Sequence, residues 1–283
     1  MSGINCGVCH NNCNLKDGQI GLCRARGNVG GEIKCLNYGK VTSIALDPIE
    51  KKPLNLFYPG KNIVSVGSYG CNLRCPFCQN HTISYGFNEE YEDGYRFIEP
   101  DLLAETALAY KDRGNIGVAF TYNEPLVGYE YVLDAAKEAH DRGLKTVLVS
   151  NGTANHEVCL EVSEHIDAMN IDLKGFTDSY YEMLGGNRQM VMNFISTACR
   201  NCHMELTTLI IPGYNDREDE IDELAKWVAN LNDGRGKEEI ALHISRFFPR
   251  FHMSEGEPTP VETVYRLADV ARRHLQHVFT GNC

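Results

Sequence analysis

The stretch IVSVGSYGCNLRCPFCQN, residues 63–80, joins a short β-branched run to a loop that holds three cysteines. Cys71, Cys75 and Cys78 have the spacing C-x3-C-x2-C. Three thiolates in one tight loop can bind three irons of a cubic 4Fe-4S cluster and leave the fourth iron open to another ligand. The alternative is a zinc site that His81 completes as a Cys3His set. The strands and helices predicted downstream favour the cluster.

Downstream of this loop, β-branched runs alternate with amphipathic helical stretches. Six runs predict strands: IVSVGSYG from Ile63, IGVAFTY from Ile116, LKTVLVS from Leu144, DAMNIDL from Asp167, MELTTLII from Met204 and IALHISRF from Ile240. The segments between them have helical spacing, as in DLLAETALAYKDRG and DEIDELAKWVANLN. This alternation indicates an α/β fold, either an open doubly wound sheet or a full or partial (β/α)6 barrel. In both, ligands bind beyond the carboxyl ends of the strands.

Composition limits the classes of partner. The 283 residues suffice for one large domain with a small appendage. A net charge of −11, from 27 Lys and Arg against 38 Asp and Glu, disfavours nucleic acid and anionic lipid as partners. We expect a cytoplasmic protein without a membrane span, since the chain shows neither a signal-like start nor about 18 consecutive apolar residues. In such a reducing compartment, 12 cysteines indicate metal or redox chemistry.

The sequence predicts two units, a Cys-rich segment over residues 1–60 and a barrel over residues 61–283. The first unit has too few apolar side chains for an independent core, so we expect a metal or a docking surface to hold it. Within it, EIKCLNYGKVTSIAL alternates in polarity and predicts a hairpin that turns near Tyr38 and Gly39.

Four cysteines of this segment have ligand-like spacing. They follow the pattern C-x2-C-x3-C-x9-C and are Cys6, Cys9, Cys13 and Cys23. Four thiolates suffice for a closed zinc site or for an auxiliary iron-sulfur cluster, and the spacing does not choose between them. The third alternative is that these cysteines bind no metal. His10 is a candidate to replace one of these cysteines as a metal ligand.

The three-cysteine loop and the strand-helix array together resemble the radical SAM superfamily, from Ile63 to about Phe279. The resemblance implies a full or partial α/β barrel with this loop after its first strand. It implies that the open iron binds S-adenosylmethionine (SAM), and that one electron from the cluster cleaves SAM to methionine and a 5′-deoxyadenosyl radical. That radical would abstract hydrogen from a substrate. A reduced flavodoxin or ferredoxin is the implied electron donor.

The resemblance also implies which residues face SAM. They are Phe77, Asn123, Glu124, Ser150, Asn151, Asp172, Lys174 and Ile211. Glu124 stands in TYNEP, where the family often has G-G-E-P, so Tyr122 and Asn123 depart from two glycines. Thr207 and Thr208 stand on a strand where activating enzymes often place an arginine. Other readings stay open: Phe77 packing beneath the cluster, the Ser-Asn pair capping a helix, and the Asp-Lys pair forming a surface ion pair.

The last predicted strand, in HISRFFPRFHM, supplies candidate substrate ligands. His243, Arg246 and Arg250 are expected at the same rim, where a guanidinium can bind a carboxylate of the substrate or cofactor. Solvated side chains, or pairs with the surplus acids, are the alternative.

Nearly the whole chain resembles one subgroup, the AmmeMemoRadiSam system radical SAM enzymes, which are similar to pyruvate formate-lyase activating enzymes. The shared features are the N-terminal cysteines and the stretches DPIEKKPL, CQNHTIS, LIIPGYND, RFFPRF and PTP. Glu50, Lys51 and Lys52, in the first of these stretches, could close over the active site, or form a solvated charge run.

The leading hypothesis is therefore an activating-enzyme-like radical SAM oxidoreductase. Two kinds of substrate compete: a glycyl-radical protein, and a small molecule or peptide that is modified directly. The alternative class is an iron-sulfur electron carrier or a zinc-binding module without catalysis. Such a module has little need for six strand-helix units or for polar residues at the strand ends.

Overall fold

One eight-stranded sheet, covered by helices, organises the chain. The computed structural model describes residues 2–85, 94–231 and 240–283. The strands are β1 (Ile4–Asn5), β2 (Asn14–Leu15), β3 (Arg26–Val29), β4 (Glu32–Cys35), β5 (Lys40–Val41), β6 (Ser43–Pro48), β7 (Asn62–Gly67), β8 (Arg96–Phe97), β9 (Asn115–Phe120), β10 (Lys145–Ser150), β11 (Ala168–Asp172), β12 (His203–Ile210), β13 (Ala241–Arg246) and β14 (Val278–Gly281). The α-helices are α1 (His81–Ser84), α2 (Pro100–Ala109), α3 (Tyr129–Asp141), α4 (His156–Ser163), α5 (Asp178–Met183), α6 (Arg188–Ala198), α7 (Glu218–Ala229) and α8 (Val261–Ala271). Short 3-10 turns cover Ile49–Lys51, Lys111–Arg113 and Pro125–Gly128.

The main sheet has the order β14-β13-β12-β11-β10-β9-β7-β6. Its neighbours are parallel except β6, which pairs antiparallel with β7. All six predicted strand runs are confirmed, as β7 and β9 to β13. The strands β6 and β14 are additions that the sequence analysis did not foresee. They form the two edges of the sheet, so the α/β barrel is a partial one.

Helix packing follows the apolar spacing of the sequence. In α8, the fully buried side chains of Val264, Leu267, Ala268 and Ala271 recur at intervals of three and four residues. This spacing places them on one helix face, which packs on β13 and β14. The opposite face carries the polar residues. The main apolar core therefore lies between the sheet and its helices.

The predicted hairpin around Tyr38 and Gly39 is wrong. Instead, β4 pairs with β3 through a turn at Gly30 and Gly31, which have φ angles of 64° and 86°. Two consecutive positive φ angles suit a tight hairpin turn, and glycine adopts them without strain. The residues after Gly39 pair elsewhere, since β5 joins β8 and β6 joins the main sheet.

The segment after β6 enters the amino-terminal mouth of the barrel, and we call residues 49–57 the plug. Its Ile49 and Leu54 are fully buried and belong to an apolar cluster with Ala168, the first residue of β11. The idea that DPIEKKPL closes over the active site is therefore wrong, because its apolar residues pack near the beginnings of the strands. Glu50 and Lys51 are exposed, as expected for a solvated charge run, whereas Lys52 is buried.

The Cys-rich segment packs against the barrel. Arg26, whose side chain is 5% exposed, forms an ion pair of 2.7 Å with Glu130 of α3. The carbonyl of Val8 accepts a hydrogen bond from the Asn155 amide. Although β6 lies within residues 1–60, it is a strand of the main sheet. Across the described ranges, no helix combines the length and apolarity needed to cross a bilayer.

Candidate active site

The carboxyl ends of the parallel strands surround a cavity of about 310 Å³. Most of the side chains that the sequence analysis singled out line it together. These are Cys71, Cys75, Phe77, Cys78, Asn123, Glu124, Ser150, Asn151, Asp172 and Lys174. Residues from the loop of Cys71, Cys75 and Cys78, which we call the cluster loop, meet residues from the ends of β9, β10 and β11 at one place, as parallel strands require.

The cysteine loop offers sulfur ligands with hydrogen-bond donors aimed at them. The Leu73 amide lies 3.4 Å from the Cys71 sulfur, and Asn151 Nδ2 lies 3.8 Å from it. Burial raises the pKa of the Cys71 thiol, and it raises that of Cys75 to about 11 although Lys174 opposes the change. Buried thiols become thiolates when a metal takes the proton's place. Sulfur ligands with N–H donors fit an iron-sulfur cluster.

The zinc alternative for this loop does not gain its fourth ligand. His81 stacks on Phe251, with 4.4 Å between the ring centroids, and lies outside the residues that line the cavity. In the parts of the chain that the structure covers, no three His, Cys, Asp or Glu side chains surround a single-ion position. A cubic cluster does not require such a position, because its cysteines bind different irons.

Glu124 ties two strand ends together. Its carboxylate accepts hydrogen bonds from Ser150 Oγ at 2.7 Å, from the Asn151 amide at 2.7 Å and from the Leu126 amide at 3.0 Å. Burial outweighs these bonds and raises the pKa of Glu124 to about 7. Both carboxylate oxygens are thus used within the protein. The residue shapes the cavity wall between β9 and β10.

Asn123, Ser150 and Asn151 also form hydrogen bonds between neighbouring strand ends. Asn123 accepts from the Ser68 amide at 2.9 Å and donates to the carbonyls of Tyr69 and Gly70, just before the cluster loop. The reading of Ser150 and Asn151 as a helix cap is wrong, since α4 begins at His156 and its N-cap residue is Asn155. A shared hydrogen-bond framework therefore holds the ends of β7, β9 and β10.

Asp172 and Lys174 supply the charged pair of the cavity. Lys174 Nζ lies 2.9 Å from Asp172 Oδ2, and the lysine side chain is only 15% exposed. Burial alone would lower the pKa of Lys174, but Asp172 and Cys75 outweigh it and raise this pKa. The pair therefore keeps a cation beside a cluster-loop sulfur, at the wall of the cavity rather than on the open surface.

Phe77 and Ile211 pack beneath the loop. Both are buried in one apolar cluster with Phe247, whose ring meets Phe77 edge-on at 6.4 Å. Phe77 also lines the cavity, whereas Ile211 supports it from behind. The packing alternative for Phe77 therefore describes its contacts, and one edge of the ring remains available to the cavity.

The three candidate substrate ligands do not meet at the rim. His243 is buried and lies 2.7 Å from Glu205, about two strand residues deeper than Ser245, which lines the cavity. Arg246 Nε donates to the carbonyl of Thr259 at 2.7 Å, so this guanidinium supports the chain beyond β13. Arg250 bridges to Met253 through the backbone. Within the described chain, none of the three lines the cavity.

The four N-terminal cysteines are neighbours in the fold, but within the described residues their side chains do not surround a single-ion position. Cys9 and Cys23 are buried, while Cys6 and Cys13 are partly exposed. The Cys6 amide donates to the Cys13 carbonyl at 2.9 Å. Burial raises the pKa of the Cys23 thiol to about 11, and the nearby thiols of Cys9 and Cys6 add to the increase.

This N-terminal group lies directly against the cluster loop. Asn11 Nδ2 donates to the Asn72 carbonyl at 3.0 Å. A Cβ atom on Gly70, whose φ is 92°, would lie 2.6 Å from the Cys23 carbonyl oxygen. Glycine is therefore required at the contact between the two cysteine-bearing segments.

Sequence reasoning missed several side chains of the cavity. They are Thr121, Tyr122, Thr207, Leu209, Ser245 and Asn282. The alternation of β12 and β13 carried a signal, because Thr207 and Leu209 share one strand face, as do His243 and Ser245. Tyr122 had been noted only as a departure from glycine. A larger cavity of about 660 Å³, between α4 and α6, contains none of the residues assigned to the site.

Comparison with known proteins identifies relatives. Residues 65–228 match the family model of the radical SAM superfamily. An uncharacterized protein of Methanocaldococcus jannaschii is 37% identical over 281 residues, which cover 99% of this chain and 81% of that protein. A pyruvate formate-lyase-activating enzyme of Clostridium pasteurianum is 25% identical over 62% of this chain and 72% of its own length. The crystal structure of Streptococcus suis SuiB bound to S-adenosylmethionine has a TM-score of 0.55 at 13% identity, covering 77% of this chain and 46% of that one.

Proposed function

The chain belongs to the radical SAM superfamily, and we propose that Cys71, Cys75 and Cys78 bind the 4Fe-4S cluster of that family. The observation that carries the proposal is the cavity of about 310 Å³, which all three cysteines line together with polar residues from three strand ends. We propose this cavity as the SAM site. When bound there, the cluster and SAM would supply the radical chemistry that removes a hydrogen atom from the substrate.

The chain's own residues would position the cofactors and exclude water. Lys174, held by Asp172 at 2.9 Å, places a cation next to Cys75. Such a charge favours the thiolate form of a ligand cysteine and can attract a carboxylate. Asn151 donates toward the Cys71 sulfur, and hydrogen bonds of this kind tune the potential of a cluster.

We propose a polypeptide with a glycyl-radical site as the substrate, with direct modification of a small molecule or peptide as the second candidate. A relative of Methanocaldococcus jannaschii that is named as a putative glycyl-radical enzyme activating enzyme, 26% identical over 78% of this chain, favours the first. A substrate would enter from the carboxyl edge of the strands, since the plug occupies the other end of the barrel. Reduced flavodoxin or ferredoxin is the proposed electron donor.

Electron paramagnetic resonance tests whether the cluster is catalytic. The anaerobically reconstituted and reduced chain is expected to show a cluster signal that changes when SAM is added, because SAM would occupy the open iron. An electron carrier has no site for SAM beside its cluster. An unchanged spectrum at saturating SAM would favour the carrier over the enzyme.

We propose, in addition, that Cys6, Cys9, Cys13 and Cys23 bind a second metal centre. Their proximity, the burial of two of them and the small apolar content of the segment support it. The metal would stabilise the segment that packs on Gly70 and Asn72 of the cluster loop. Of the two candidates, an auxiliary iron-sulfur cluster is favoured over a structural zinc, because within the described residues these cysteines do not surround a single-ion position.

Metal analysis of Cys13→Ser separates the two sites. We expect this variant to lose either one zinc or the extra iron of an auxiliary cluster, while about four irons remain in the cluster loop. Cys35→Ser is the matched control, because Cys35 lies near Asn37 and outside the group. Equal metal contents in wild type, Cys13→Ser and Cys35→Ser would exclude the second centre.

A further inference from the structure

The plug carries a buried cation. Lys52 is 3% exposed, and its Nζ lies 2.9 Å from Asp47 Oδ2 on β6. The hydroxyl of Tyr122 donates to the same carboxylate oxygen at 2.8 Å, and Lys52 Nζ lies 4.8 Å from the centre of the Tyr122 ring. A buried lysine is costly unless a carboxylate balances its charge, so the three groups form one unit beneath the cavity.

Tyr122 connects this unit to the cluster loop. Its side chain lines the cavity, and its carbonyl accepts a hydrogen bond of 2.6 Å from Asn80 Nδ2, two residues after the last cysteine of the loop. The φ angle of Tyr122 is 74°, a left-handed conformation that costs a bulky residue conformational energy. Contacts at both ends of the residue hold it in this conformation.

A second connection reaches the cavity from the plug. Asn170 of β11 donates through Nδ2 to the Pro53 carbonyl at 2.8 Å. Its Oδ1 accepts from Thr207 Oγ1 at 2.9 Å, and Thr207 lines the cavity. The plug is therefore linked to two residues that line the cavity. It is linked to Tyr122 through Asp47 and to Thr207 through Asn170.

We infer that Tyr122 and Thr207 are positioning residues for SAM, held from beneath by the plug. The inference rests on the proposed function, because it takes the cavity as the SAM site. Tyr122 stands where the resembled G-G-E-P motif has a glycine, so its ring fills space that a glycine would leave open. The plug and Tyr122 together determine the depth of the pocket.

The test uses the full chain with its cluster reconstituted and oxidised, so that SAM binds without being cleaved. Calorimetry gives the Kd of SAM, and hydrogen exchange follows the amides of residues 49–57. For Tyr122→Phe we expect SAM binding to weaken by up to about fivefold, because the ring loses the hydrogen bond to Asp47 that fixes its position, together with faster exchange in the plug. Thr207→Val, which removes the bond to Asn170, is expected to change both quantities in the same direction.

Tyr265→Phe is the matched control, because Tyr265 is 48% exposed on α8 and its variant should match wild type in both measurements. Lower thermal stability of Tyr122→Phe and Thr207→Val with an unchanged Kd would reduce both residues to structural roles and overturn the inference. If wild type fails to bind SAM, the proposed function fails instead. In that case, faster hydrogen exchange of residues 49–57 in Tyr122→Phe would still support the link between Tyr122 and the plug, and unchanged exchange would refute it.

Discussion

Replacing Cys75 with alanine is expected to remove about four irons per chain and to abolish the formation of 5′-deoxyadenosine from SAM. Cys75 is one of three thiols that line the cavity, and two thiols cannot hold a cubic cluster with one open iron. Without the cluster the chain has no electron to deliver to SAM, so the loss should be complete rather than partial. Iron analysis and chromatography of the reduced reaction measure the two quantities.

Cys159→Ala is the control for this substitution. Cys159 is also buried, at 1% exposure, but lies on α4 with its sulfur near the Phe194 carbonyl. Its variant should lose some stability and keep both iron and SAM cleavage. Undiminished SAM cleavage by Cys75→Ala would contradict the proposed cluster site.

Glu205→Ala is expected to lower the free energy of unfolding by about 3–5 kcal/mol. The carboxylate is completely buried and lies 3.0 Å from His203 Nε2 and 2.7 Å from His243 Nε2. It also accepts hydrogen bonds from the amides of Asn55 and Leu56 in the plug. Removing it leaves several buried groups without their partner, so chemical unfolding should begin at a lower denaturant concentration.

The effect of Glu205 on stability should depend on pH. Burial alone would raise the pKa of Glu205, but the hydrogen bonds from His203, His243 and the Leu56 amide outweigh it and lower this pKa from 4.5 to about 2. A lowered carboxyl pKa stabilises the fold fully above pH 4.5, and the contribution disappears as pH falls toward 2. The shift corresponds to roughly 3 kcal/mol.

Comparison with Glu205→Gln isolates this contribution, since both proteins keep the two histidines. The stability difference between them should shrink as the pH falls from 4.5 toward 2. Glu161→Ala is the surface control, because Glu161 is exposed on α4, and it should unfold like wild type. A stability difference that does not vary over this pH range would show that the ionised form of Glu205 does not stabilise the fold.

The parallel strands could be predicted because each is a β-branched run that the fold buries on both faces. The predicted run IGVAFTY, for example, contains most of β9, and most residues of that strand are buried. The C-x3-C-x2-C loop could be recognised equally well, since its three cysteines are close together in sequence. Both features depend on local sequence pattern, so the structure has the strands where they were predicted and places the three cysteines at one cavity.

Features that depend on distant partners could not be read in this way. Lys52 looks like part of a solvated charge run, but it is buried beside Asp47 of the same stretch and beside the distant Tyr122, which the fold brings close. His243 occupies a strand that reaches the cavity, but its position along that strand places it beside Glu205 instead. The hairpin failed for the same reason, because the partners of β5 and β6 lie elsewhere in the chain.

The most direct test of the central claim is 5′-deoxyadenosine formation by the wild-type chain after anaerobic reconstitution with iron and sulfide. We expect about four irons in the cluster loop, and 5′-deoxyadenosine with methionine after dithionite and SAM are added. A chain that binds zinc without iron, and leaves SAM intact under reduction, would contradict it.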